Sequence, residues 1–168
     1  MATNVMNLTK VENQTILTDL TTFNLSEQIR ACVLLLEEKW SRKELDLDLE
    51  FPEYTIRANE ELLKQVWINL LDNAIKYSAP GGRITVKLWA GEYKAFVEII
   101  DQGRGIPPED LENVKTKFYK GSNSVRGSGI GLALVDSIMT ALDGTMDIKS
   151  TLGRGTVVTL GLPLYHKA

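Results

Sequence analysis

The sequence predicts an α+β fold, a two-layer α/β sandwich in which a mixed, mostly antiparallel sheet packs on three helices. Some segments alternate between apolar and polar residues, as strands with one buried face do: 45–51, 83–90 and 94–100. Other segments carry apolar residues at helical spacing: 24–40, 60–78 and 130–142. The strands come in adjacent pairs that segregate from the helices, and this arrangement favours a sandwich of one sheet and one helical layer.

The first half of the chain is predicted to contain a tail, two helices and one strand. Residues 1–22 are polar and rich in Thr and Asn. Asn24 is the predicted N-cap of the first helix, with Glu27 three residues later as its capping-box partner. Asn59 is predicted to cap the second helix, which the "APGG" stretch at 79–82 ends.

The second half is predicted to contain two hairpins separated by a glycine-rich region. The alternating segments within 83–100 are joined by "GEY", which indicates an antiparallel hairpin. Residues 107–114 are typical of a short helix, whereas 115–129 has too little periodicity for any element. After the third helix, Gly144 opens a last hairpin that ends at residue 163.

The composition limits the classes of function. The chain has 168 residues, is 43% hydrophobic and carries a formal net charge of −3, which fits one compact domain with a single core. Mild acidity gives no reason to expect a nucleic-acid or membrane surface, and no apolar run approaches the roughly 18 residues that cross a bilayer. Cys32 is the single cysteine, which excludes a disulfide framework and agrees with a reducing, cytoplasmic setting.

A polar stripe on the second helix is the first candidate functional feature. Asn69, Asn73 and Lys76 are spaced i, i+4, i+7 and therefore lie on one helix face. Amide oxygens suit a hard cation, and a lysine one turn further can reach a phosphate held by that cation. The alternative is a solvated helix face.

The stretch "DQGRG" at the end of a predicted strand is the second candidate. The Asp101 carboxylate can accept a hydrogen bond from an exocyclic amine, and Gly103 and Gly105 allow close approach of a flat ring. These features suit an adenine base. An ordinary Asp-Gly turn is the alternative.

A glycine-rich helix start preceded by basic residues is the third candidate. Gly127, Gly129 and Gly131 leave backbone N–H groups free to face a phosphate, at the positive end of a helix. The preceding residues include Lys120 and Arg126 and no acidic residue, which indicates a basic flap over a polyanion. A surface loop is the alternative.

The order and spacing of these features resemble the N, first glycine, F, second glycine and third glycine boxes of sensor histidine kinases. The corresponding segments are "NLLDNAIKYS", "DQGRGIP", "KFYKG", "GSGIGLALV" and "GRGT". The resemblance covers about residues 23–164 and extends to the wider GHKL superfamily, whose Bergerat-type ATP-binding fold agrees with the predicted sandwich. It implies that residues 1–22 are the tail of a dimerisation and phosphoacceptor helix, and that 23–168 form the catalytic ATP-binding domain.

The resemblance also implies a catalytic set and the cofactors ATP and Mg²⁺. Asn73 would ligate the Mg²⁺ ion that bridges the ATP phosphates, with Asn69 nearby as a second amide. Lys76 would contact phosphate. Asp101 would bind the adenine amino group.

The resemblance assigns further residues to the nucleotide. Tyr77 would line the ribose or base, Ile106 and Leu132 would wall the adenine pocket, and Thr156 belongs to the third glycine box. The flap and the glycine positions complete the cofactor-binding set: Lys120, Arg126, Gly127, Gly129, Gly131, Gly103 and Gly105.

The implied activity is transfer of the ATP γ-phosphoryl group to a histidine on a separate phosphoacceptor domain. His166 lies beyond the last predicted strand with no adjacent acid, so it is not expected to be the acceptor. We therefore expect a cytoplasmic fragment of a longer, membrane-associated kinase. Its partners would be ATP, the phosphoacceptor domain of the same kinase and a downstream response regulator.

Two other functions compete with this interpretation. GHKL hydrolases carry a glutamate four residues before the Mg²⁺-binding asparagine, and here that position is Asn69, whose amide cannot serve as a general base. This absence predicts poor ATP hydrolysis, and together with the short flap it argues against a gyrase-like ATPase that drives conformational change. A non-catalytic nucleotide-binding module is the second alternative.

Overall fold

The computed structural model describes residues 20–105 and 129–164. The predicted helix at 107–114 and the basic flap lie outside these ranges. The helices are α1 (Leu25–Leu35), α2 (Glu37–Arg42), α3 (Glu60–Tyr77) and α4 (Gly129–Ala141). The strands are β1 (Thr21–Asn24), β2 (Asp46–Asp48), β3 (Thr55–Ala58), β4 (Arg83–Ala90), β5 (Lys94–Asp101), β6 (Thr145–Thr151) and β7 (Gly155–Pro163).

The main sheet has five strands in the order β2-β4-β5-β7-β6. Only β2 and β4 run parallel, and the other three pairings are antiparallel. Both predicted hairpins are present as β4–β5 and β6–β7. The predicted fold class, a mostly antiparallel sheet packed on three longer helices, is confirmed.

One face of this sheet and the helices α1, α3 and α4 enclose the core. The predicted apolar stripe of α3 is buried, with Leu63 and Val66 fully inaccessible to solvent. On β4, Ile84 and Val86 point toward this layer and are also buried. Alternation along the strands and helical spacing along α3 therefore predicted the buried faces correctly.

Side-chain caps begin α1 and α3 as predicted. The Oδ1 atom of Asn24 accepts a hydrogen bond of 2.9 Å from the Glu27 backbone N–H. The Oδ1 atom of Asn59 accepts one of 3.0 Å from the Leu62 N–H. Each cap satisfies an N–H that has no partner inside the helix, and so determines where the helix begins.

The prediction of one continuous helix over 24–40 is wrong. α1 ends at Leu35, and α2 begins at Glu37 after a break at Leu36, which is buried. The indole Nε1 of Trp40 donates to the Val33 carbonyl at 2.9 Å, and the Leu36 N–H donates to the same oxygen at 3.1 Å. The Leu36 N–H therefore bonds three residues back instead of the regular four, and α1 ends at this turn.

The predicted strand at 45–51 is shorter in the structure, since β2 comprises only Asp46–Asp48. Beyond it the chain leaves the sheet because buried Ser26 holds the following segment. Its hydroxyl donates to the Pro52 carbonyl at 2.7 Å and accepts from the Tyr54 N–H at 3.0 Å.

A small second sheet was not predicted. β1 pairs antiparallel with β3, from Thr21 opposite Ala58 to Asn24 opposite Thr55. Each strand has four residues, too few for alternation to be recognised in the sequence. Thr21 and Thr22 lie in the segment predicted to belong to a phosphoacceptor helix, and the boundary between 22 and 23 stays a prediction.

Within the two described ranges, none of the helices combines the length and the apolarity that a membrane crossing requires.

Candidate functional site

A cavity opens between α3, the start of α4 and the ends of strands β5 and β7. Ten described residues line it: Leu70, Asn73, Ala74, Tyr77, Ile99, Asp101, Leu132, Ile148, Thr156 and Val158. Most of them are apolar, and Asp101 is the single charged side chain in this described lining. The cavity is therefore suited to a flat apolar group that carries a polar edge.

Asp101 supplies that polar edge from the last position of β5, where it is 7% exposed. Burial raises the pKa of its carboxyl from 3.8 to about 6, while hydrogen bonds from the backbone N–H groups of Gly103 and Thr156 lower that pKa and limit the rise. The Gly103 bond to Oδ1 is 2.9 Å long. A carboxylate has about four acceptor positions, so Asp101 keeps capacity for a ligand N–H.

The walls of the cavity follow from the geometry of the two central strands. Asp101 lies opposite Thr156 in the β5–β7 ladder. Ile99 and Val158 lie two residues from these positions, and side chains two apart in a strand share a face. The alternation of residues along each strand therefore indicated that Ile99 and Val158 would face the cavity, although the sequence analysis did not select them.

Asn73 enters the cavity from α3 and is 8% exposed. Its Nδ2 atom is buried and has no hydrogen-bond partner within the described residues. A buried amide N–H without a hydrogen-bond partner is unfavourable unless another group accepts from it. Asn73 thus contributes a buried polar group to the cavity lining, and its predicted place beside the phosphates stays a prediction.

The other two members of the predicted polar stripe do not belong to the described lining. The Nδ2 atom of Asn69 donates to the Gln65 carbonyl one turn back, at 2.7 Å. The Nζ atom of Lys76 lies 3.5 Å from an Asp72 oxygen, and the other oxygen of that carboxylate lies 2.9 Å from the Lys39 Nζ. Lys76 is half-exposed, so its long side chain can turn toward the cavity mouth.

The glycines after Asp101 have a structural reason that the sequence did not reveal. A Cβ atom on Gly103 would overlap the Tyr77 carbonyl oxygen at the end of α3. Gly105 has a φ of +76°, and a Cβ there would overlap the Thr151 carbonyl. Both glycines let the loop pack against neighbouring backbone, and their predicted role in admitting a base stays a prediction.

The structure brings five predicted site residues together around one cavity: Asn73, Tyr77, Asp101, Leu132 and Thr156. Gly129 and Gly131 lie in the first turn of α4. Four predicted residues lie outside the described ranges: Ile106, Lys120, Arg126 and Gly127.

Two basic residues that contact the end of α3 were not predicted. The Arg104 guanidinium lies over the Tyr77 ring, 4.8 Å from its centroid, in a cation–π contact. The Nζ atom of Lys43 contacts backbone carbonyls at the end of α3. No local pattern reports such contacts, because Lys43 lies more than 30 residues before the carbonyls it binds.

Comparison with known proteins identifies the class. The sequence profile of the family described as "Histidine kinase-, DNA gyrase B-, and HSP90-like ATPase" matches residues 58–166, and the chain belongs to this family. The cavity, which is lined by the Asp101 carboxyl and the Asn73 amide, lies within the matched region. The resemblance inferred from the five boxes is confirmed at the level of the family.

Curated relatives place the chain more narrowly, among the ATP-binding catalytic domains of histidine kinases. It is 33% identical over 95% of its length to the histidine protein kinase DivJ of Caulobacter vibrioides, and covers 28% of that protein. It is 30% identical, again over 95% of its length, to the circadian input-output histidine kinase CikA of Synechococcus elongatus, and covers 22% of it. The chain therefore spans about a quarter of these relatives.

Solved structures agree with this assignment. The catalytic domain of the histidine kinase ThkA superposes with a TM-score of 0.76 at 28% identity, covering 86% of this chain and 95% of that one. The histidine kinase AdeS of Acinetobacter baumannii superposes with a TM-score of 0.82 over 99% of this chain and 78% of the other. At 23% identity, the second match shows the fold alone.

Proposed function

We propose that this chain is the catalytic part of a two-component sensor kinase and that it transfers the γ-phosphoryl group of ATP to a histidine on a separate phosphoacceptor domain. The observation that carries the proposal is the buried Asp101 carboxyl, the single charged group in the described lining of a mostly apolar cavity. An adenine ring satisfies both parts of that cavity, because its faces are apolar and its exocyclic amine is a donor.

The residues of the cavity fit a nucleotide in a defined direction. The purine lies between Leu132 and the α3–sheet wall, with its amine on Asp101. Asn73 lies one turn before Tyr77 in α3. Its Nδ2 atom has no hydrogen-bond partner among the described residues, and this supports a position beside the phosphates. Lys76 lies one turn further along α3. Its ammonium group leaves the Asp72 carboxylate and contacts a phosphate oxygen when the nucleotide binds.

Mg²⁺ is the metal proposed for the phosphates, and when bound it neutralises part of their negative charge. The Oδ1 atom of Asn73 is the ligand that this chain offers among the described residues. In the described ranges no cluster of three or more His, Cys, Asp or Glu side chains could hold a metal by itself. The ion would therefore depend on the phosphates for most of its ligands, as magnesium in nucleotide sites commonly does.

The transfer step needs no general base from this chain. A neutral imidazole nitrogen of the phosphoacceptor domain attacks the γ-phosphorus, the bond from that phosphorus to the β,γ-bridging oxygen breaks, and ADP leaves. Since the nucleophile brings its own lone pair, positioning and charge neutralisation provide the catalysis. Asn69 occupies the place of a water-activating glutamate, which supports transfer over hydrolysis.

A phosphotransfer assay tests the proposal. The chain is mixed with Mg-ATP labelled at the γ-phosphate and with a separately supplied dimeric helical domain that carries the acceptor histidine. We expect label on the helical domain, its loss when that histidine is replaced by alanine, and much slower release of free phosphate. Rapid release of phosphate without labelling would instead indicate a conformation-driving ATPase.

The same assay separates a kinase from a nucleotide-binding module. Tight ATP binding without labelling of any tested acceptor would favour the module. Asp101→Asn serves as the control, because it should abolish both binding and transfer while retaining the shape of the side chain. From the relatedness of the chain to histidine kinases we also propose transfer of the phosphoryl group onward to a response regulator, and a membrane-associated parent protein with its kinase part in the cytoplasm.

A further inference from the structure

The last turn of α3, like every helix end, contains backbone carbonyls that lack regular helical partners. The Ala74 carbonyl accepts from the N–H and the hydroxyl of Ser78, at 3.1 and 2.7 Å. The Tyr77 carbonyl accepts from the Arg104 N–H at 3.2 Å. The two carbonyls between them, those of Ile75 and Lys76, are satisfied from a distant part of the chain.

That partner is Lys43, which follows α2. Its Nζ atom donates to the carbonyls of Ile75 at 2.8 Å, Lys76 at 2.9 Å and Ser78 at 3.0 Å. An ammonium group has three N–H donors, so these bonds use all of them. The positive charge also lies at the negative end of the α3 dipole, where a cation is stabilising.

Lys43 also holds the segment that follows α3. Its carbonyl accepts a bond of 2.7 Å from the Gly81 N–H. Both its backbone and its side chain therefore determine how α3 ends. Because its three donors are fully used by the protein, Lys43 is not available as a phosphate ligand.

The end of α3 also supports residues 102–105, which follow Asp101 and are called the Asp101 loop below. The Tyr77 carbonyl holds the Arg104 N–H, and Gly103 is in close contact with that carbonyl. Gly103 in turn donates to the Asp101 carboxyl. A continuous series of contacts therefore runs from the Lys43 ammonium, through the final turn of α3, to the carboxyl assigned to adenine.

We propose that Lys43 is a positioning residue for the nucleotide site: by binding the terminal carbonyls of α3, it fixes the turn that supports the Asp101 loop and carries Asn73 and Lys76. The inference rests on the proposed function for its effect on ATP. The structural part of it, the coupling between Lys43 and the Asp101 loop, stands independently of ATP.

The test compares three variants of the whole chain. Lys43→Met removes the donors and the charge with little change in length, and Lys43→Gln keeps two donors on a neutral side chain one atom shorter. Arg42→Met is the matched control, since the neighbouring Arg42 pairs with exposed Glu38 on the surface of α2. Mg-ATP affinity is measured by calorimetry, and amide hydrogen exchange is followed at Arg104 and along the β5–β7 ladder without nucleotide.

We expect Lys43→Met to bind Mg-ATP about tenfold more weakly and Lys43→Gln to lie between it and wild type. Exchange at the Arg104 amide should accelerate about tenfold while the β5–β7 ladder is unchanged. A purely structural role would instead accelerate both regions equally. If Lys43→Met does not fold, the same comparison is made with Lys43→Gln.

The proposal is overturned if folded Lys43 variants bind within twofold of the Arg42→Met control, or if Arg104 exchange follows that of the ladder. Equal weakening by Arg42→Met would also overturn it, because the effect would then be one of surface charge. If wild type itself fails to bind Mg-ATP, the proposed function fails, and the exchange comparison alone decides the role of Lys43.

Discussion

Asp101 is the residue at which function and stability are opposed. Its folded-state pKa, about 6, is above its ordinary value of 3.8 because burial disfavours the charged form. The contribution of this group to stability is therefore fully present below about pH 3.8 and is lost as the pH rises through about 6. At neutral pH the free protein holds a destabilising charge, which a ligand amine can compensate.

The first prediction concerns Asp101→Asn without nucleotide. At pH 7.5 the variant should unfold with a free energy about 2–3 kcal/mol larger than that of wild type, because it removes the buried charge. The difference should shrink as the pH falls through 6 and vanish well below pH 3.8, where the wild-type carboxyl is neutral in both the folded and the unfolded state. Chemical denaturation across this pH range measures it, and a less stable variant at pH 7.5 would contradict the assignment.

The second prediction concerns the pH dependence of binding. At pH 5 most of the Asp101 carboxyl is protonated, and the neutral acid is a weaker acceptor for the adenine amine than the carboxylate, so ATP affinity should fall about tenfold between pH 7.5 and pH 5. The triphosphate of purine riboside lacks the amine but titrates like ATP at its phosphates, and therefore serves as the matched ligand. Parallel pH profiles for the two ligands would argue against contact between Asp101 and the base.

At the scale of elements, the site depends on how closely the loop after β5 approaches the end of α3. Gly103 makes that approach possible, because any side chain there would meet the Tyr77 carbonyl. The Arg104 N–H bond to the same carbonyl then joins strand and helix. The cavity is thus a consequence of contact between two elements rather than of either element alone.

The third prediction is that Gly103→Ala lowers the free energy of unfolding by about 2 kcal/mol and also weakens ATP binding, because the loop must move away from α3. Gly91→Ala is the matched control, since a Cβ there has its nearest neighbour, the Lys94 carbonyl, at 3.7 Å. Urea unfolding and calorimetry measure the two effects. The packing argument fails if both glycine variants have the stability of wild type.

At the scale of the whole molecule, the small β1–β3 sheet connects the start of the described chain to the helical layer. Four residue pairs join the strands, and the last residue of β1, Asn24, is also the cap of α1. The N–H of Leu25 adds a bond of 2.8 Å to the Tyr54 carbonyl. This connection makes residues near 21 part of the folded unit.

The fourth prediction is that a chain beginning at Thr21 keeps the thermal stability and ATP affinity of the full sequence. A chain beginning at Leu25 loses β1 and the α1 cap together, and its melting temperature should fall by about 10 °C. Scanning calorimetry compares the two truncations. Equal melting temperatures would show that the domain begins after β1, near the boundary predicted between 22 and 23.

Local signals account for most of what was predicted. The caps Asn24 and Asn59 act within three residues, and the two hairpins join strands that are adjacent in the chain. The continuous helix over 24–40 failed because Trp40 binds a carbonyl seven residues earlier, a contact that competes with helical bonding. Strand β2 is shorter than predicted for a similar reason, since Ser26 forms a hydrogen bond with Pro52, 26 residues later in the chain.

The sequence by itself determined the fold class, the family and the identity of the adenine-binding candidate, because periodicity, caps and box spacing are properties of near neighbours in the chain. Only the tertiary structure showed that Asp101 is buried with a raised pKa, that Lys76 forms an ion pair with Asp72, and that Lys43 donates to the terminal carbonyls of α3. The raised pKa comes from burial, and the Lys43 contacts join residues more than 30 positions apart. Even for Lys76, four residues from Asp72, helical spacing cannot tell a pairing within α3 from contact with a phosphate, and only the folded chain distinguishes them.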